Sequence, residues 1–279
     1  MPGTLYVVAT PIGNLEDLTE RAGRILREVN VVACEDTRHT RKLLNHVGST
    51  VPAISYHEHN ETTRAPEILK RLLAGEGVAL VSDAGTPLVS DPGYRLVALC
   101  REEGVAVVPV PGPSAATAAL SVSGLPTDRF LFLGFPPKKA AALRDQLLEV
   151  ATLPATLVFY VGPHDVISVL RAVVEHLGNR RIFLVREMTK VFETAYWGEV
   201  KTVLEQAERE TPKGEYTLVI EGEEPQAVST ASRIDVVAYV HGLMQARGLS
   251  ERDAIRAASE DLDLPKREVY SLFNKRLTP

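Results

Sequence analysis

The sequence predicts an α/β chain with a parallel five-stranded N-terminal sheet, a second domain built on a mixed sheet, and a small C-terminal helical extension. Two observations carry that prediction. Over residues 1–122, short runs rich in Val, Ala and Leu alternate with helical patterns, the βαβ order of a parallel sheet covered on both faces. Each run ends in a polar cluster, as the ligand-binding edge of an open α/β sheet does. From 123 to 226 the texture is α+β with hairpins, and 227–279 carries only helical patterns.

Residues 5–9 (L-Y-V-V-A) form the first strand, followed by the turn Thr10-Pro11-Ile12-Gly13-Asn14. Asp17 or Thr19 then caps a helix whose apolar face is Leu18, Ala22, Ile25, Leu26 and Val29. The second strand, 31–34, runs into Glu35-Asp36-Thr37-Arg38 and a helix over 41–47. The third, 53–56, runs into His57-Glu58-His59-Asn60-Glu61 and a helix over 62–73. The fourth, 78–81, is an unbroken apolar run, as in a strand buried on both faces. It stops at Ser82-Asp83, and the loop A-G-T-P-L-V-S-D-P-G leads into a helix from Tyr94. Two glycines and two prolines there let backbone approach a ligand closely with little flexibility, so this loop is read as the floor of a small-molecule site. The fifth strand, 105–110, ends in Pro111-Gly112-Pro113-Ser114 before a small-residue helix over 115–122.

Gly124-Leu125-Pro126-Thr127 marks the domain junction. Beyond it the pattern predicts strands over 130–135, 157–161, 181–185, 192–197 and 216–220, with helices over 140–150, 166–177 and 200–210. The tail reads as helices over 234–246, 250–261 and 266–277, with a capping box at Ser250-Glu251-Arg252-Asp253. Three such helices suit either a helix-turn-helix-like nucleic-acid module or plain packing. The eight Lys and Arg of this tail (Arg233, Arg247, Arg252, Arg256, Lys266, Arg267, Lys275 and Arg276) meet seven Asp and Glu, so it is nearly neutral.

Bulk properties exclude several classes. A net charge of −5 argues against attachment to nucleic acid or membrane by bulk charge. Cys34 and Cys100 sit in apolar patterns and read as core thiols of a reducing compartment. No leader pattern and no apolar run of membrane-spanning length is present, so a soluble, cytoplasmic protein with no membrane partner is expected. The first turn has one glycine where a dinucleotide fingerprint has three, and no P-loop lysine occurs. His57 and His59 lack a third ligand at zinc spacing, so no metal is expected.

Four motifs then stand out: T-P-I-G-N-L-E-D-L-T (10–19), E-D-T-R-x-T (35–40), S-D-A-G-T-P-x-x-S-D-P-G (82–93) and P-G-P-S-A (111–115). They resemble the tetrapyrrole (corrin/porphyrin) methylase superfamily. Within it they are most similar to the branch that methylates a cytidine ribose of 16S rRNA at the 2′-oxygen, cytidine 1402 of the decoding region. The likeness continues through F-L-F-L-G-F (130–135), R-E-M-T-K (186–190) and G-E-Y-T-L-V-I-E-G (214–222), and is weaker in the tail. Val161 and Asp165 depart from it, standing where the family usually carries Glu and Arg, so those roles are not carried over.

The resemblance implies a two-domain tetrapyrrole-methylase-like fold, a homodimer, S-adenosylmethionine in a deep cleft, no metal, and 16S rRNA of the small ribosomal subunit as partner. Close backbone and apolar walls for an adenosyl group come from Pro11, Ala84, Gly85, Val89, Ser114 and Ala115, with Asp83 capping the turn or facing the cation. Tyr160, Val161, Thr217 and Leu218 close the cleft from the second domain. Glu187 is the first choice for the base that takes the hydroxyl proton, with Lys190 beside it; Asp36 and His57 are rivals, since their strands end at the same edge. Arg38, Arg41, Lys42, Lys138 and Lys139 are read as rRNA phosphate contacts. Two other readings stay open: a methylase of tetrapyrroles or other small molecules, and a non-catalytic assembly factor that binds S-adenosylmethionine.

Overall fold

The computed structural model describes residues 1–223, 235–262 and 264–274. The chain divides into two compact units, Met1–Gly222 and Glu223–Pro279.

The first unit holds two sheets. Strands β1 (Thr4–Val8), β2 (Val31–Cys34), β3 (Ala53–Ser55), β4 (Val78–Val81) and β5 (Ala106–Val110) are all parallel, in the order β3-β2-β4-β1-β5. Helices α1 (Glu20–Glu28) and α2 (Thr37–His46) cover one face; α3 (Glu61–Leu73) and α4 (Tyr94–Glu102) cover the other. The two-residue period of a strand sorts the side chains between them. Val31, Ala33, Val78 and Leu80 join the core under α3 and α4, whereas Val32, Cys34, Ala79 and Val81 join the core under α1 and α2. Every residue of β2 and β4 is therefore buried, which is why those segments read as unbroken apolar runs.

Capping sets where the helices begin. Thr19, rather than Asp17, caps α1, accepting the Ala22 N–H at 3.1 Å; Asp17 closes a short 3-10 turn that Asn14 caps. Helix α2 starts at Thr37, earlier than its apolar pattern, because the Asp36 carboxylate accepts the Arg38 N–H at 2.8 Å. All five strands run the same way, so their polar ends emerge at one edge.

The second sheet contains β6 (Phe130–Phe132), β7 (Thr156–Val161), β8 (Arg181–Arg186), β9 (Thr194–Glu199) and β10 (Tyr216–Ile220), in the order β6-β7-β10-β8-β9. Only β6 and β7 pair in parallel; the rest are antiparallel, making the sheet mixed. Helices α6 (Ala140–Val150), α7 (Val166–Leu177) and α8 (Val200–Glu208) pack on one face. The other face receives α5 (Ala115–Ser123), whose Ala116, Ala119 and Leu120 lie on Val158, Phe183, Val185 and Val219. Helix α5 follows the first sheet in the chain but packs on the second, its small residues allowing close approach. Strand β9 starts at Thr194, two residues later than the alternation indicates, because hydrogen bonds from Lys190 N–H to Glu187 O and from Glu193 N–H to Lys190 O curl the preceding segment.

The second unit contains α9 (Val236–Arg247), α10 (Glu251–Asp261) and α11 (Lys266–Asn274) around Val240, Ala254, Ile255, Ala258 and Val269. Asp235 and Ser250 cap α9 and α10. Arg233, Lys275 and Arg276, the ends of the first and last helices read from the sequence, and the 226/227 boundary lie outside the described residues. Among the described residues, no helix is long and apolar enough to cross a membrane.

Leu26 is fully buried between α1 and the first sheet, whereas Leu15 is exposed. Leu26→Ala is expected to destabilise the chain by about 2–5 kcal/mol in urea unfolding, and Leu15→Ala by less than about 0.5 kcal/mol.

Candidate active site

The loops after β1, β4 and β5 are tied together at the sheet edge. Thr10 and Gly85 exchange backbone hydrogen bonds of 2.8 and 3.0 Å. The buried Thr10 hydroxyl donates to Ser82 O at 3.2 Å, the Ser82 hydroxyl lies 3.2 Å from Gly85 O, and the Thr86 hydroxyl donates to Pro113 O at 3.0 Å. Gly85 has φ of 80°, a left-handed conformation that glycine adopts without steric cost.

A cavity of about 220 Å³ lies between these loops and the second sheet. Of the residues singled out in the sequence, Asp83, Ala84, Gly85, Val89 and Ala115 form its wall on the first side. Tyr160, Val161, Thr217, Glu187 and Lys190 form the facing wall. Gly13 brings the two sides together: a Cβ there would lie 2.4 Å from Lys190 Cγ and 2.9 Å from Met188 O, so only glycine lets the first turn sit against the loop after β8. Tyr160 is anchored by its hydroxyl, which accepts the Ala116 N–H at 3.3 Å, and by edge-on contacts with Phe132 and Phe135.

Three other residues of that group do not line the cavity. The Leu218 side chain is fully buried in the core under α6, α7 and α8. Pro11 and Ser114 flank the cavity without lining it; Ser114 begins α5 without making a side-chain cap.

The proposed acid–base groups separate. Glu187 has φ of 54° and Thr189 φ of 65°, both left-handed, in the loop after β8. The Glu187 carboxylate accepts from Lys190 Nζ at 2.8 Å and from the Glu215 N–H at 2.9 Å. The bond from Lys190 holds the Glu187 carboxyl below the ordinary glutamate range, against the opposing effect of partial burial. Burial works against the Lys190 charge, but Glu187 and Glu215 together outweigh it and keep the amine protonated. Asp36 and His57 lie outside the cavity. Asp36 is spent on capping α2 and on Arg38, whose hydrogen bond lowers it to about 2. The His57 backbone N–H donates to Asn60 Oδ1, and its ring Nε2 is 3.1 Å from Asn60 Nδ2. Among the described residues no group of three His, Cys, Asp or Glu side chains is arranged to hold a metal.

Arg38, Arg41 and Lys42 on α2, and Lys138 and Lys139 before α6, are all exposed and outside the cavity. Cys34 and Cys100 are buried free thiols.

The cavity also contains groups that the sequence reading passed over. Ile12, Phe135 and Met188 add apolar wall. Asp91 is the larger omission: it lines the cavity and is pushed up to about 6, first by burial and then by the negative charge of Glu35. Its signal was the second Asp of the 82–93 motif, in a loop already assigned to a ligand.

Comparison with known proteins bears on what fills this space. A profile of the Tetrapyrrole (Corrin/Porphyrin) Methylases matches residues 4–204. The chain belongs to this family. Ribosomal RNA small subunit methyltransferase I of Halalkalibacterium halodurans is 43% identical to it over 277 residues, 98% of this chain and 95% of that protein. The protein of the same name from Xylella fastidiosa strain Temecula1 is 46% identical over 272 residues, 96% of this chain and 98% of that one. Among solved structures, the cobalt precorrin-4 methyltransferase CbiF superposes with a TM-score of 0.60 at 16% identity, covering 77% of this chain and 94% of that one. At that identity the likeness is one of fold.

The tetrapyrrole methylase family implies S-adenosylmethionine as methyl donor, and the residues present fit it. Ile12, Ala84, Val89, Ala115 and Val161 offer apolar walls to an adenosyl group, and Asp83 and Asp91 offer negative charge to a sulfonium cation.

Replacing Lys190 by Met removes the chief cause of the low Glu187 pKa. The Glu187 carboxyl is then expected to titrate at higher pH than in the wild type, read by carboxyl-carbon NMR. In the wild type the ion pair stabilises the fold above the ordinary glutamate range, and that stability is lost as pH falls through the depressed value.

Proposed function

We propose that this chain transfers the methyl group of S-adenosylmethionine to small-subunit ribosomal RNA, at the 2′-oxygen of a cytidine ribose, cytidine 1402 of the decoding region. The observation that carries this reading is near-full-length similarity to proteins named for small-subunit rRNA methylation, in a chain whose sheet edge forms a cavity suited to the donor. The donor supplies a methyl group already activated on sulfur. The protein's share is to align it with the ribose and to receive a proton.

Loops 83–91 and 187–190, on opposite walls, do the aligning. Glu187 and Lys190 suit positioning: the carboxylate already accepts two hydrogen bonds and is a weak proton acceptor, and the ammonium is held cationic at the cavity wall. Exposed Arg38, Arg41, Lys42, Lys138 and Lys139 supply phosphate contacts despite the net charge of −5. An assembled subunit, read through shape and a few local contacts, reconciles an acidic chain with an RNA substrate. The working state in this reading is a cytoplasmic homodimer. Phe192, just before the outer strand β9, and Trp197, on it, are exposed and provide apolar surface for the second copy.

The test supplies the full chain with methyl-labelled S-adenosylmethionine and either undermethylated small subunits or uroporphyrinogen. Label is expected in 2′-O-methylcytidine. Label on uroporphyrinogen or on a base, or donor binding without transfer to either, overturns the reading. Lys190→Ala and Glu187→Gln are each expected to lower turnover on subunits about tenfold or more, through lost alignment.

A further inference from the structure

Phe135 borders the cavity, yet 62% of its surface stays open to solvent. A role as apolar wall does not account for a ring so exposed. It stands at the rim, where it meets whatever arrives from outside. The ring is also firmly placed. Leu133 N–H donates to Val158 O and Tyr160 N–H to Gly134 O, both at 2.9 Å, so the pairing of β6 with β7 continues up to the residue before Phe135. Tyr160, anchored to the Ala116 N–H, meets the Phe135 ring edge-on with centroids 5.7 Å apart. A Cβ on Gly134 would lie 3.3 Å from Ser90 Oγ, so this segment runs against the loop that floors the cavity. Pro136 and Pro137 follow, and their rings fix the backbone beyond it. Lys138 and Lys139 come next, both exposed. The run F-P-P-K-K over 135–139 therefore sets an aromatic ring beside two cations in a stiff segment at the cavity rim.

Single-stranded RNA is recognised by this combination: a base lays its π-face on an aromatic side chain, and the adjoining phosphates meet cations. A base inside a duplex has both faces covered by its neighbours, so a ring at a rim engages only one that is splayed out. We propose that Phe135 is a stacking platform for the unpaired target base of the ribosomal RNA, with Lys138 and Lys139 on the adjoining phosphates; this rests on the ribose-methylation reading above. A base stacked there leaves its ribose at the entrance between loops 83–91 and 187–190, because Phe135 borders the same cavity. Phe135 is a positioning residue and takes no part in methyl or proton transfer. Stacking tolerates any base, so this contact selects an unpaired nucleotide without choosing cytosine over uracil.

The test measures methyl transfer to undermethylated small subunits at saturating donor, and donor binding by calorimetry without subunits. Phe135→Ala and Phe135→Leu are each expected to lower kcat/KM for subunits about tenfold or more, whereas Phe135→Tyr and Phe135→Trp recover it to within about threefold, since only a flat ring stacks on a base. Leucine keeps apolar bulk at this position, so it would rescue a ring that served merely as wall. The ring is largely exposed, so these variants are expected to fold. Replacing Lys138 and Lys139 together by Ala is expected to reduce the slope of log affinity for subunits against log salt by about 1, whereas Phe135→Ala leaves that slope unchanged. Phe135→Leu within about threefold of wild type, a Phe135→Ala loss confined to donor binding, or a salt slope unmoved by the lysine replacements overturns the proposal. If the wild type labels no ribose, the functional reading fails and takes this proposal with it. If the wild type labels ribose and Phe135→Leu matches it, only the stacking role fails.

Discussion

The pair of backbone hydrogen bonds between Thr10 and Gly85 is the constraint on which the rest of the site depends. It converts two loops that leave neighbouring strands β1 and β4 into one rigid floor, which the Thr10 and Ser82 hydroxyls reinforce and the Thr86 hydroxyl ties to the loop after β5. Such a floor needs parallel strands, because only then do successive loops emerge side by side at a single edge. It also needs Gly85 in a left-handed conformation and a bare Gly13, so that the opposite loop, Met188 to Lys190, can close on it.

On that scaffold the charges are driven apart. Three carboxylates near the edge meet three environments. Asp36 faces open solvent with a helix end and Arg38 to bind, and its proton is lost at about 2. Glu187 is bonded to Lys190 and to a backbone N–H, and it too is held ionised. Asp91 is half-buried beside further negative charge and keeps its proton to about 6. Carboxylates separated in this way hold different charge at one pH: one caps a helix, one is paired with an ammonium, and one resists ionisation.

Much of the fold was legible in the chain itself. Strand β4 reads as buried because α3 and α4 cover one face and α1 and α2 the other, so no polar residue interrupts it. Helices α6 and α7 were legible to the residue from their apolar period. The start of α2 was not, because a cap adds a polar first turn that carries no apolar signal. The loop around Gly85 announced itself through its Gly and Pro content, and it does line the cavity. Leu218 shows the limit of that reading: neighbours on a strand alternate faces, so Thr217 reaches the cavity while the next side chain enters the core.

What the sequence by itself determined is local: apolar periods that make strands and helices, polar caps that start them, and glycines that bend the loops between them. Where α5 packs and which carboxylate holds a proton were decided only by the tertiary structure. The small residues of α5 suit a close approach to either sheet. The proton affinity of Asp91 arises from its partial burial at the cavity wall and from the charges of Asp83 and of Glu35, the latter contributed by a distant part of the chain. Desolvation and Coulomb effects depend on distance in space, and spacing along a chain does not encode that distance.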